Sequence, residues 1–590
     1  MLMDEERKRT DVFKKAGSAR VIASGSWTIM MAIIGAIMLF IYTVIGGNYY
    51  GETGELSYFS ITAAFIAVAA APSAGFAQAY IKESKQAFTR SPEEGKKRSI
   101  QMSRVNILIG LGMTIIFLVA AILMIGIDPI IFLILIGTGL TIMVIYTRDI
   151  LGDMLSVFNR FDMVSIIGGL YGVILAGAGF TVIIFRIPAQ FLVFIPVLMY
   201  MVMLILSYIF YNKIKSFNAK ELFIPSKEYP LESDYVKKYT EYGILTTISN
   251  LPNFGIFAHI SIIMVYFSYS FIPIFLGPGI TILNMTQLIT LIDSFVFIEV
   301  AIFLFAGPLN VEVAEAYEKK DHDTIEESVN AMGKIAFVLA LPIATGLAVF
   351  SPYLMRFFAF GSISHGGVID HNLFFQGWMT FSLFAFGQTF YGLGTVFGAV
   401  LIGIGDAKKS AIAYGAAALL ILVSTPLCIL LFNVLGLFIP ILWTQHYSLI
   451  GAGVATLLGG IFVLLYIIRE IQKSIDINYD LRIRKLIIVI TILAIFFIFS
   501  PIQPLAIVFT YIIGDYGLSE MISFIVFILI GFLLNIIMLC FFGVFGKGDG
   551  KLIQGTADSF NLHWLGVFLR KIGRYFYNLN PYNEKIESKK

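Results

Sequence analysis

Two acidic side chains lie where hydrocarbon would surround them. Asp293 and Glu299 fall inside an apolar stretch near residues 280–307. A charge at the centre of a membrane span costs about 2.5–3.5 kcal/mol by insertion scales. Thr286, Thr290 and Asp293 recur at i, i+4 and i+7, so a helix places them on one polar stripe facing its neighbours or a water-filled cavity. Glu299 follows Asp293 by six residues, about 120° further around that helix, so the two acids do not act as a coupled pair. Such acids suit a proton or sodium site that drives a conformational change, or an acceptor for a hydroxylated ligand. A protonated acid bonded to an adjacent helix is the structural alternative.

Other polar residues at depth form looser groups. His259 has Asn250 and Asn253 one or two turns away; such a cluster lines a cavity or bonds neighbouring helices together. Arg148, Asp149 and Asp153 stand at the inner end of another apolar stretch, as an interfacial salt-bridge set or as cavity-mouth residues that meet a phosphate. Pro252, Pro273, Pro278, Gly277 and Gly279 interrupt the apolar pattern around them, and broken backbone at membrane depth borders a cavity or hinge. Glu52 and Glu55 have a spacing that could hold a metal but read as solvated loop acids. Cys428 and Cys540 both lie in apolar stretches and offer no disulfide framework or thiol metal site. No Walker or glycine-rich nucleotide loop occurs, so no nucleotide or other cofactor is expected beyond a coupling ion.

The elements that must position these residues are membrane helices. Fourteen apolar stretches of roughly 20 residues or more, each able to cross about 30 Å of hydrocarbon, lie near 21–45, 56–81, 104–126, 129–147, 163–185, 189–212, 242–267, 280–307, 333–351, 373–404, 410–432, 448–468, 486–512 and 519–545. Of the 41 Lys and Arg residues, all but Arg186 and Arg356 lie in, or at the edge of, every second gap. The positive-inside rule then predicts both termini in the cytoplasm of a multi-pass protein in the cell membrane. With 58% apolar and 13% charged residues and a mean hydropathy of +0.86, the chain is not an ordinary soluble globule. The net charge of +3 marks no nucleic-acid partner, because the cations are confined to one side. The first stretch is too long for a signal core and lacks a small-residue cleavage site, so no cleaved leader is expected.

The loops are too short to enclose a core of their own. Within residues 559–579, Leu565, Phe568, Leu569, Ile572, Phe576 and Leu579 recur at helical spacing beside Arg570, Lys571 and Arg574. They predict an amphipathic helix on the anionic inner leaflet, or one docked beneath the bundle. The two halves echo one another. Ala77-Gln78-Ala79-Tyr80 follows the second stretch and Ala314-Glu315-Ala316-Tyr317 the eighth, each leading into a charged segment. An all-α polytopic membrane fold results: 14 transmembrane helices, with two six-helix lobes (21–212 and 242–472) around a central cavity, a basic linker at 213–241, two extra C-terminal helices within 473–545 and a cytoplasmic tail from 546.

The passage from Pro308 to Tyr317, and on through Ala340-Leu341-Pro342-Ile343-Ala344-Thr345-Gly346, resembles polysaccharide flippases of the multidrug/oligosaccharidyl-lipid/polysaccharide exporter superfamily. Gly403–Lys409, Gly451-Ala452-Gly453-Val454-Ala455-Thr456 and Ile45-Gly46-Gly47-Asn48-Tyr49-Tyr50-Gly51 are similar to the same family. The resemblance covers roughly residues 20–475. It implies two lobes that open alternately to each side and a polyprenyl- or dolichyl-linked saccharide as cargo. It also implies a lipid-tail groove beside the last two spans, and glycan-assembly proteins as partners. One departure is that Arg104, Arg148 and Lys334 are the cations nearest the cavity and all sit near inner ends. Either the anion meets only the inner mouth, or the cargo is less charged than a pyrophosphate, as a monophosphate-linked saccharide would be. A small-molecule or drug antiporter of the same superfamily, a membrane glycosyltransferase or acyltransferase, and an assembly protein descended from a flippase are the rival expectations.

Overall fold

The computed structural model describes residues 34–35, 37–38, 41–50, 53–126, 129–158, 161–213, 218–223, 229–249, 256–271, 282–295, 306, 309–310, 313, 316–317, 320–358, 363–365, 368–369, 371–438, 448–475, 477, 479, 481–499, 502–513, 516–544 and 563–580. Nearly all of them are helical. Residues 41–49 close the first apolar stretch. Then come α1 (Ser57–Arg90), α2 (Pro92–Met124), α3 (Pro129–Val157), α4 (Phe161–Ile184), a 3-10 turn (Ala189–Phe194) leading into α5 (Ile195–Asn212), and the short α6 (Ala219–Phe223). The second half holds α7 (Ser233–Ser249), α8 (Ile256–Phe271), α9 (Ile282–Phe295), α10 (His322–Phe358), α11 (His371–Gly403), α12 (Ala407–Phe438) and α13 (Ser448–Ser474). It ends in α14 (Ile483–Ile498), α15 (Ile502–Ile513), α16 (Tyr516–Phe541) and α17 (His563–Leu579). A two-residue ladder, β1 (Ser364–His365) against β2 (Val368–Ile369), tightens the loop before α11.

Ten of these helices are long and apolar enough to cross a membrane, and the protein is an all-α polytopic membrane protein. Four of the fourteen expected spans are not among the ten: the first, seventh, eighth and thirteenth. Each of them is interrupted by residues outside the described set, around 21–33, 250–255, 296–305 and 500–501. The thirteenth is not one continuous helix over 486–512. It is α14, which ends at Ile498 with Phe499 as its C-cap, followed by α15, which opens at Ile502 with Pro504 in its first turn, where a missing N–H is tolerated. The helix that leads into the seventh stretch starts at Ser233, ahead of residue 242.

Outward faces carry apolar side chains that no soluble protein would leave bare. Leu123 is 69% exposed and Leu419 65%, and hydrocarbon rather than water is the medium that suits them. Buried apolar residues form two large clusters. One gathers Tyr42, Tyr80, Ile134, Leu175 and Met199 from the first half. The other gathers Leu288, Phe381, Phe397, Ile421 and Val463 from the second. The seam between them runs along α1, which packs against α7, α8 and α9. It exchanges members: Ala64 of α1 belongs to the second cluster, and Tyr239 and Tyr266 of α7 and α8 to the first.

Turns follow local chemistry. Ser91 caps α2 by accepting from the Glu94 N–H at 3.1 Å, with Pro92 at the first helical position. The chain turn at Gly403–Lys408 is a helix stop with Gly405 at φ +90°, where Asp406 N donates to Leu401 O at 2.8 Å. The two Ala-x-Ala-Tyr echoes sit differently. Tyr80 is fully buried and bonds Ser103 at 3.1 Å, whereas Tyr317 is 46% exposed and the chain turns at Lys320. The tail helix α17 docks on α16: Tyr577 is buried and Asn580 Nδ2 donates to Phe541 O at 2.9 Å. That is the docked alternative, with Tyr575 and Leu579 left exposed.

Linker acids, rather than its bases, tie it to the first half. Glu232 pairs with Lys97 at 2.7 Å and Arg98 at 3.1 Å, and Glu221 pairs with Lys96. Arg98 also lies 4.0 Å over the Tyr235 ring, and Arg104 Nη1 donates to Tyr229 O at 2.6 Å. The Lys97 hydrogen bond, then the Arg98 charge, holds the Glu232 carboxyl below the usual carboxylate range. A depressed carboxylate contributes its hold above the ordinary value of about 4.3 and loses it as pH falls through the lowered one. Spin labels on α2 and the linker should therefore move apart on acidification below pH 4 in the parent. In Glu232→Gln the wider distribution should already be present at pH 7; coincident distances in both proteins would contradict this clasp.

Candidate functional site

Three charged residues of α3 meet in the first half. Arg148 Nη2 bonds Asp149 Oδ1, and the Ser73 hydroxyl of α1 donates to Asp149 Oδ2. The Arg148 guanidinium lies 5.4 Å from the centroid of the Tyr200 ring of α5, and Tyr200 stands 5.8 Å from the Tyr171 ring of α4. One turn on, Asp153 is 8% exposed, and its Oδ2 meets no donor among the described residues. The Arg148 and Asp149 side chains are 23% and 17% exposed. This is therefore a largely buried cluster rather than a solvated interfacial salt bridge. Ionised throughout, it carries one more negative charge than positive.

The cluster touches the seam through a single segment of α1. Ser73 follows Pro72 and faces α3. On the opposite side, Thr246 Oγ1 donates to Gly75 O at 2.8 Å, Tyr239 OH to Phe76 O at 3.3 Å, and Thr247 Oγ1 lies 3.5 Å from Pro72 O. The backbones meet here because residue 75 has no side chain: a Cβ at Gly75 would stand 2.2 Å from Thr247 Cα. Tyr239 also donates to Asn106 Oδ1 at 2.9 Å, carrying the contact into α2.

The polar stripe of the eighth span lies in α9, one of the most enclosed helices in the protein. Thr286 is fully buried, Thr290 is half-buried, and Thr290 Oγ1 donates to Thr286 O at 2.8 Å. Beside them, fully buried Gln287 reaches out to Gly47 O at 3.0 Å, tying α9 to the end of the first apolar stretch. Asp293 is in the same helix, but its side chain is outside the described residues, as are Glu299, Asn250 and Asn253. His259 is half-buried on α8, near the Ser261–Thr456 hydroxyl contact at 3.2 Å that joins α8 to α13. The structure thus joins Arg148 to Asp149 and Thr290 to Thr286. Sequence reading missed Ser73, Tyr171, Tyr200 and Gln287. Pro72 beside Ser73 was the available signal, since a proline in a span frees a carbonyl and invites a polar neighbour.

The inner-end cations are already engaged. Arg104 holds Tyr229 O, Arg148 holds Asp149, and Lys334, 8% exposed, also has an interaction partner.

The architecture has relatives among solved structures. The lipid II flippase MurJ, in an inward closed conformation, matches with a TM-score of 0.57 at 17% identity, over 87% of this chain and 98% of that one. An outward-facing multidrug resistance MATE family transporter of the MOP superfamily matches with a TM-score of 0.55 at 14% identity, over 78% of this chain and 99% of that one. The chain shares the fold of these two transporters. An inward-facing MATE transporter matches at 0.52, over 77% of this chain and 98% of that one, at 14% identity. No protein-family model and no curated protein matches the chain. These neighbours are transporters.

Replacing Arg148 by Gln leaves Asp149 and Asp153 without their cation. The loss should be about 2 kcal/mol of stability, below the 3–5 kcal/mol of a fully buried pair because both partners keep some solvent. Adding Asp153→Asn should recover part of it. Thermal unfolding in detergent, read by fluorescence size exclusion, checks this; an unshifted Arg148→Gln midpoint would mean that the pair holds nothing.

Proposed function

We propose that this chain is a flippase-type carrier. It moves a lipid-linked saccharide from the cytoplasmic to the outer leaflet of the cell membrane by alternating access of its two helical lobes. The observation that carries the reading is the extent of the likeness to MurJ, which takes in 87% of the chain, against 77–78% for the multidrug transporters. Helices beyond the multidrug core are what a cargo with a polyprenyl or dolichyl tail needs, and α14, α15 and α16 border the lipid-tail groove in this reading. The engaged state of Arg104, Arg148 and Lys334 favours a monophosphate-linked head group over a pyrophosphate.

Alternating access requires the α1–α7 seam to part on the inner side, with both termini cytoplasmic. Its polar contacts are hydroxyl-to-carbonyl bonds across a glycine, beside the Phe76–Tyr239 ring contact, and water entering from the opened inner side takes their place. Asp149 grips α1 through Ser73 from the other face, so the ionic cluster biases that movement. Asp293 and then Glu299 are the proposed proton or sodium coupling residues, with Thr286 and Thr290 on the same helix as Asp293, and His259, Asn250 and Asn253 lining the cavity. The likeness to multidrug transporters favours a second reading, a small-molecule antiporter.

Proteoliposomes decide between them. With a fluorescent polyprenyl-monophosphate disaccharide in both leaflets, the protein should raise the rate of leaflet exchange, detected by dithionite quenching, without changing the lipid chemically. Asp293→Asn should insert normally but lose at least tenfold in ion-driven rate. Exchange no faster than in empty vesicles, together with proton-driven efflux of a cationic dye, would replace the flippase reading with the antiporter one.

A further inference from the structure

Arg186 and Arg356 are the only cations in the outward gaps of the sequence, and the structure treats them differently. Arg356 lies 3.6 Å from Glu520, a carboxylate buried on α16, so its charge has a counterion within the bundle. Arg186 makes no ion pair with any described residue. It is also poorly suited to its own turn. At the end of α4, Ile187 N donates to Val182 O at 3.0 Å and Arg186 N to Ile183 O at 3.2 Å, which puts Arg186 at φ +52°. Glycine takes that left-handed position without strain, whereas a residue with a Cβ does not. Arginine is thus disfavoured here by membrane sidedness and by backbone geometry, two independent grounds.

Its surroundings supply a reason. Arg186 borders a cavity of ≈400 Å³ together with Tyr49, Tyr50, Thr53, Glu55 and Gln190, within the size range of small-molecule sites of about 300–1,000 Å³. Tyr49 is 53% exposed and is held edge-on against the buried Tyr50, with ring centroids 4.9 Å apart. A supported, exposed phenol ring offers a flat apolar face with a polar rim, which suits the C–H face of a pyranose. Thr53, Glu55 and Gln190 can donate to or accept from ring hydroxyls. Arg186 can take a carboxylate or phosphate oxygen pair in bidentate fashion. Glu55 in the same cavity disfavours a bare inorganic anion, so the ligand must be rich in hydroxyls as well as charged.

We propose that this cavity is an outward-facing saccharide site that binds an anionic sugar, a pyranose bearing a carboxylate or phosphate. The proposal rests on the flippase reading, which delivers a sugar to this side, and on the topology that places residues 49–55 and 186–190 outside. Its occupant is a saccharide head group; an anionic phospholipid head group is the competing source of the same charge.

Full-length protein in phosphatidylcholine nanodiscs, probed by saturation-transfer NMR, tests it without any transport step. Glucuronate should show saturated ring protons, and the effect should fall at least fivefold in Arg186→Gly and in Tyr49→Ala. Glucose should bind more weakly and be insensitive to Arg186→Gly. Because glycine relieves the turn, Arg186→Gly should melt no lower than the parent, so its lost signal cannot be misfolding; it decides the matter even if Tyr49→Ala fails to fold. An unchanged glucuronate signal in Arg186→Gly overturns the proposal. So does displacement of glucuronate by an equal concentration of glycerol 1-phosphate, which would assign the cavity to a lipid head group. Sugar binding retained in a protein that fails to exchange lipid-linked saccharide would instead count against the carrier reading alone.

Discussion

Inside a membrane, a backbone carbonyl or side-chain dipole that loses its partner finds no water to replace it. Pro72 brings that constraint into the middle of α1. It offers no N–H to the Val68 carbonyl four residues earlier, and the next turn of the helix is bonded on two sides. The carbonyls of residues 72, 75 and 76 share one face and meet side chains of α7, while Ser73 turns to Asp149 on the other face. Two neighbourhoods that differ in sequence and chemistry, the ionic cluster and the inter-cluster seam, are connected through these four residues.

Much of the fold was legible from hydropathy and the distribution of Lys and Arg. The spans that became α1 through α5 and α10 through α13 stand where apolar runs of about 20 residues predicted them. What escaped prediction depends on tertiary neighbours. The break between α14 and α15 was signalled by Pro504, which a helix tolerates in its first turn, yet an apolar run masks it, because hydropathy sums over a proline without registering the missing N–H. The basic linker was read by its lysines. Its working parts are Glu221 and Glu232, whose partners lie on α2 more than a hundred residues earlier. At the candidate site, Arg148 and Asp149 were visible as charges at depth. Ser73 and Tyr200 were not, because a serine or tyrosine in a span has no signature until the helix beside it is known.

The same distinction separates the two outward cations. Sequence alone could count Arg186 and Arg356 as equal exceptions to the charge pattern. Only the packing shows that one is neutralised by Glu520 from a helix far along the chain, while the other faces a cavity. An exception to a statistical rule becomes informative when the structure has accounted for its companion.

The seam combines a ring contact with small residues and hydroxyls. One large contact crosses it: the Phe76 ring of α1 packs edge-on against Tyr239 of α7, with centroids 5.4 Å apart, and lies over Gly243. Here the closest approach is made by Gly75, whose missing Cβ lets Thr247 within reach, and the bonds are single hydroxyls from Thr246 and Tyr239. Small residues and hydroxyls permit close packing in membranes, and each such bond contributes only about 0.6 kcal/mol. Two arrangements of the same helices can then lie within a few kcal/mol of one another, as switching between rigid bodies requires. The ionic cluster, by contrast, is internal to the first half: α3 supplies the charges, while α1, α4 and α5 supply Ser73, Tyr171 and Tyr200. In the proposed alternating-access cycle it moves with that half as a unit. Strong interactions within a lobe and exchangeable ones between lobes are what let a helical bundle rock without unfolding.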